Sequence, residues 1–205
     1  MMFPSFSIIA GVIFLATHAL GLPVDPDLDK RAQNVIIGYR TVSAAQGQRY
    51  NQAGTLTNDG NLIGTQIGAG VYTTPNRGGW PGSATSIISL REMRYCVIMA
   101  DSAALSRVNK VQIPESFNGQ TIWFKGQAVV DAYIKNVVPL ADPNKTIRIS
   151  KIEGAVDGLQ IVIPPGLLNS NNGGLGITAS CKNTVEELPD VNVAFRQWPR
   201  LFGSL

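Results

Sequence analysis

Histidine is all but missing from this chain: the one present, His18, falls in an N-terminal stretch that reads as removable. That excludes a histidine-dependent triad, a histidine general base and a histidine metal ligand in the remainder. Cysteine is scarce as well, with only Cys96 and Cys181; once these pair, a zinc site would need carboxylates alone, so no metal is expected. Charge comes without blocks. Lys and Arg total 17 against 14 Asp and Glu, for a formal net charge of +3, and after residue 31 the basic residues stand singly, so there is neither a nucleic-acid footprint nor a membrane patch. Beyond the N-terminal stretch no apolar run is long enough for a membrane span, and there are no repeats. Chemistry on this chain has to run on Arg, Tyr, Ser, Thr, Gln and carboxylates.

What is present begins with a secretory signal over residues 1–21. Phe6 to Leu20 is mostly apolar, and Ala19-Leu20-Gly21 offers the small residues a signal peptidase needs. Residues 22–31 form an acidic leader ending in Lys30-Arg31, a dibasic pair resembling the processing sites of late-secretory proteases in eukaryotes, fungi especially. Residues 32–205 remain as a single domain with room for a core. The expected location is secreted and extracellular. In an oxidising compartment two cysteines default to one disulfide, Cys96–Cys181. The loop it closes is about 85 residues long, which loop-closure entropy makes worth roughly 4 kcal/mol.

Along the domain, Val35 to Val42 reads as a first core strand, and Ser43 caps a helix over Ala44 to Ala53 that stops at Gly54. Asn58 to Gly64 is turn-rich. Gly68 to Pro75 is a glycine-led strand, followed by a Gly/Pro loop over Asn76 to Gly82 that carries Trp80. Arg94 to Ala100 is a strand, with Asp101-Ser102 capping a short helix to about Val108. Thr121 to Lys125 reads as a strand. Val130, Tyr133, Ile134 and Val137 sit at i, i+3, i+4 and i+7, an amphipathic helix ended by Pro139. Thr146 to Ile152 alternates, with Ile147 and Ile149 set against Arg148 and Ser150, and Asn144-Lys145-Thr146 is a glycosylation sequon at Asn144. Leu175 to Lys182 returns as a strand bearing Cys181.

Between these last two lies Leu159-Gln160-Ile161-Val162-Ile163-Pro164-Pro165, a β-branched run with one amide in it, stopped by prolines that cannot donate to a ladder. Many short strands with few helices predict an α+β fold with split sheets.

Three stretches, in chain order, resemble the motifs of the secreted mono-ADP-ribosyltransferase toxins, particularly fungal proteins related to the heat-labile enterotoxin catalytic subunit. Tyr39-Arg40 looks like their aromatic–Arg strand, Val71-Tyr72-Thr73-Thr74-Pro75 like their Ser-Thr-Ser strand, and Gln160-Ile161-Val162-Ile163-Pro164 like their catalytic strand. The resemblance implies ADP-ribosyltransferase-like split sheets and NAD as substrate, cleaved to nicotinamide with ADP-ribose passing to a macromolecular acceptor or to water. It assigns Arg40 to anchoring NAD, Thr73 and Thr74 to shaping the pocket, Tyr72 to stacking on the ring, and Gln160 to orienting the ribose. Two departures stand out. Gln160 replaces a glutamate, and Gly158 stands where arginine-modifying members carry a second glutamate. The substitutions lean toward NAD glycohydrolysis or an unusual acceptor, with a catalytically decayed binding or effector protein as the alternative. Glu153 and Asp157 are nearby carboxylates, and a bulge could bring Asp157 into the site.

Overall fold

The computed structural model describes residues 33–57, 65–80 and 93–205; the signal and leader, the turn-rich 58–64 and the last residues of the Gly/Pro loop lie outside them. In chain order the described elements are β1 (Asn34–Ser43), α1 (Ala44–Ala53), β2 (Val71–Thr73), β3 (Met93–Asp101), α2 (Ser102–Arg107), β4 (Lys110–Gln112), β5 (Ser116–Phe117), β6 (Gln120–Thr121), α3 (Gln127–Val137), β7 (Ile147–Lys151), β8 (Leu159–Ile163), β9 (Thr178–Lys182) and β10 (Leu201–Phe202). Helix starts follow the capping residues. Ser43 Oγ accepts from Gln46 N and Gly54 closes α1 in the left-handed conformation, while Asp101 caps α2 through Ala104 N at 2.6 Å.

One sheet has the order β1-β3-β9, all antiparallel. The second has the order β10-β4-β7-β8-β2, parallel on the β10-β4-β7 side and antiparallel from β7 to β2; β5 and β6 form a separate hairpin. The protein is therefore α+β with split sheets and a few short helices. Residues of both sheets share one core, including Ile37, Ile98, Ile147, Ile149, Ile161 and Ile163. A second cluster lies where α3 docks: Val130, Tyr133 and Ile134 pack with Val111, Ile113 and Val162, as their helical spacing predicts.

Three strand expectations shorten. Gly68 to Gly70 are turn rather than strand, because Gly68 and Gly70 take φ of 87° and 155°. Residues 122–125 leave the β5–β6 hairpin at once, with Phe124 at φ 60°, and β9 begins only at Thr178. A fourth difference concerns β7. Its alternation sets Arg148 and Ser150 against Ile147 and Ile149, yet all four are 0% exposed, since α3 and the loop before β2 cover the polar side.

Cys96 and Cys181 are direct partners in the β3–β9 ladder and are joined by a disulfide across a sequence separation of 85. Asn51 of α1 clamps the same point, donating to Cys181 O at 3.0 Å and accepting from Cys181 N at 2.7 Å. We expect the double substitution Cys96→Ala/Cys181→Ala to lower stability by about 2–4 kcal/mol in urea unfolding; an unchanged midpoint would show that the ladder and Asn51 suffice.

Candidate functional site

The two sheets touch where β1 crosses the end of β2. Tyr39 and Thr74 exchange both backbone hydrogen bonds at 2.8 Å. The crossing needs glycine at 38, since a Cβ there would stand 2.5 Å from Thr73 Oγ1. A cavity of ≈ 380 Å³ opens beside the crossing, at the small end of the range for small-molecule sites, about 300–1,000 Å³. All five residues assigned from the sequence to binding or catalysis line it: Arg40 from β1, Tyr72, Thr73 and Thr74 from β2 and its end, and Gln160 from β8.

Their polar atoms are partly engaged within the protein. Arg40 Nη1 donates to Tyr72 O at 2.8 Å, and its buried Nε has no partner among the described residues. Thr73 Oγ1 donates to Ile161 O at 3.0 Å, and Thr74 Oγ1 to Asn76 O at 2.9 Å. These hydroxyls tie β2 to its neighbours. Tyr72 donates to Gly68 O at 2.7 Å and accepts from Ile67 N at 3.0 Å, so its ring is held as one rigid wall. Burial pushes its phenol up to about 12, against the Ile67 N–H and the Arg148 cation, which favour the phenolate; at neutral pH the hydroxyl remains a donor.

Gln160 is 1% exposed. Its Nε2 donates to Ser150 Oγ at 2.8 Å and to Lys151 O at 3.2 Å. A carbonyl can only accept, so the amide is oriented with Nε2 toward Lys151. No donor among the described residues reaches its Oε1.

Two further lining residues, Gln66 and Phe124, carry no sequence motif, whereas Trp80 stands on the Gly/Pro loop noted above. Gln66, buried on the loop before β2, donates to Lys151 O at 2.8 Å through Nε2 and accepts from Glu153 N at 3.1 Å through Oε1. Trp80 and Phe124 also line the cavity, 42% and 48% exposed. The nearby carboxylate on the lining is Glu153; Asp157 is exposed in the following turn and does not line it. No local pattern marks Gln66 or Phe124, because their roles come from contacts with chain far away in sequence. Asn144 is exposed on a 3-10 turn away from the cavity, where its Oδ1 accepts from Gly166 N at 3.2 Å. The sequon's Thr146 is fully buried and donates to Asp142 O.

The loop carrying Gln66 is clamped from beneath. Arg148 Nη1 donates to Ile67 O at 3.1 Å and Ala69 O at 2.9 Å, and Gln127 Oε1 accepts from Ala69 N at 2.7 Å. Tyr72→Phe removes the donor to Gly68 and the acceptor of Ile67. The expected outcome is a loss of about 1–2 kcal/mol and faster hydrogen exchange at the Ile67 amide; unchanged exchange there would count against the clamp.

Among the described residues no group of three or more His, Cys, Asp or Glu gathers as a metal site, and no helix is long and apolar enough to cross a membrane. No curated protein matches the chain. A family profile covers residues 65–204; this span takes in Gln66, Tyr72, Thr73, Thr74, Glu153 and Gln160, and it begins after β1 and Arg40. The chain belongs to that family, a family of unknown function (DUF5910).

Proposed function

We propose that this is a secreted NAD-consuming protein that cleaves NAD to nicotinamide in the cavity at the β1–β2 crossing, with water as the acceptor of ADP-ribose. The observation that carries the reading is convergence. Arg40, Tyr72-Thr73-Thr74 and Gln160 are far apart in the chain, were picked out together from the sequence, and line one cavity. Cleavage of the glycosidic bond sends its electron pair to the ring nitrogen, which becomes neutral, and leaves positive charge on the ribose carbon. Water then bonds that carbon through oxygen and releases a proton. Such a reaction depends on positioning and electrostatics more than on a nucleophile.

In this scheme Arg40 offers guanidinium donors to a phosphate, a geometry that Lys does not reproduce. Tyr72 forms a flat wall for the ring, and Gln160 presents Oε1 to a ribose hydroxyl. Gly158, in the place of a second glutamate, favours water over an arginine acceptor.

A second reading, a binding or effector protein that has lost catalysis, draws on the internal hydrogen bonds of Thr73, Thr74 and Gln160 Nε2. In it the cavity would hold the nucleotide without cleaving it.

Nicotinamide release from NAD by the protein secreted from the full chain separates the two. On the first reading Arg40→Ala and Gln160→Ala each slow release about 10–10²-fold. Binding of NAD without release by folded wild-type protein, with or without target-cell lysate, would support the second reading. Release that both variants leave intact would move the site elsewhere.

A further inference from the structure

We infer that Glu153 is the counter-charge of the cavity, held in place by Gln66, and that it faces the cationic ring of the ligand and the positive charge that passes from ring to sugar. This deepens the reading above and rests on it for the identity of the ligand. Among the described residues the cavity lining contains one carboxylate, Glu153, and one permanent cation, Arg40. A ligand suited to both carries both signs, as a pyridinium joined to phosphates does. Gln160 cannot supply negative charge, and its amide is turned to offer Oε1 only as a dipole.

The position of Glu153 is fixed through its backbone. Its N–H donates to Gln66 Oε1 at 3.1 Å, and Gln66 Nε2 donates to Lys151 O at 2.8 Å, the same carbonyl that receives Gln160 Nε2 at 3.2 Å. Gln66 O also accepts from Phe124 N at 2.9 Å, which helps hold that aromatic at the cavity in its φ 60° conformation. One buried glutamine thus ties together the residue that carries charge, the amide meant for the sugar and an exposed aromatic wall. A Phe in the left-handed region is unusual enough to point to a functional constraint. An aromatic face and a carboxylate on one cavity form a pair that favours a flat cation over a flat neutral ring.

Glu153 is a catalytic residue in this scheme and Gln66 a positioning residue. The probes are the 1-methylnicotinamide cation and neutral nicotinamide, titrated by NMR into the secreted protein, alongside NAD turnover. Wild type is expected to prefer the cation about fivefold, the scale of an exposed charge pair. Glu153→Gln, a substitution at an exposed position, should bring the preference to about one. Gln66→Leu should also reduce it, although the carboxylate is still present, which a purely structural role for Gln66 would not cause. No preference in wild type, or one that survives Glu153→Gln, overturns the proposal; a preference that survives Gln66→Leu overturns the positioning role. If NAD is cleaved, Glu153→Gln should lower kcat more than it changes KM. If NAD is not cleaved but the cation preference holds and is lost in Glu153→Gln, the counter-charge stands and the hydrolase reading alone falls.

Discussion

A guanidinium buried in the middle of β7 sets the geometry on which the cavity depends. Arg148 is 0% exposed and donates to Ile67 O, Ala69 O and Pro143 O. Burial pushes its pKa down while the nearby Asp131 carboxylate opposes the shift, and a guanidinium remains charged across the working range. With no salt-bridge partner among the described residues, the charge is met by carbonyl dipoles. The carbonyls of Ile67 and Ala69 belong to the loop before β2, so the loop has to wrap the side chain. Gly68 permits this: at φ 87° it is in the region glycine favours, and a Cβ would lie 2.7 Å from Arg148 Nη1. The loop so bent presents Gln66 to the cavity.

A second centre of constraint is the carbonyl of Lys151, at the end of the same strand. It accepts from Gln66 Nε2, from Gln160 Nε2 and from Ser150 Oγ at 2.9 Å. Hydrogen bonds that converge on one buried carbonyl fix the orientation of the groups that make them. Its effect is to turn two amides by a common anchor, leaving Gln160 Oε1 without a donor among the described residues and Gln66 Oε1 on the backbone N–H of Glu153.

β1 is held from both sides, which places Arg40. Its register against β3 sits beside the Cys96–Cys181 crosslink. From the other side, the buried Tyr39 hydroxyl donates to Pro189 O at 2.8 Å and accepts from Val191 N at 3.3 Å. Arg77 straps the same segment, with Leu188 O at 3.0 Å and Asp190 Oδ2 at 2.7 Å. The loop carrying Trp80 and the chain near the C-terminus are thereby joined at the rim of the site.

Local patterns carried much of this in advance. The Ser43 cap, the Gly54 stop, the spacing of α3 and the prolines after β8 depend on neighbours a few residues apart, and so they are legible in the chain. The five candidate residues were legible as three ordered motifs. What patterns could not convey is which side of a strand is covered: Arg148 and Ser150 look like a wet face because their cover arrives from α3 and from a loop some 80 residues earlier. Gln66 and Phe124 are unremarkable in sequence for the same reason, since a glutamine becomes a hub only when three distant backbones meet it. Back at Gln160, the linear chain showed an amide inside a core strand, and packing alone oriented that amide, because the carbonyl that turns it belongs to the neighbouring strand.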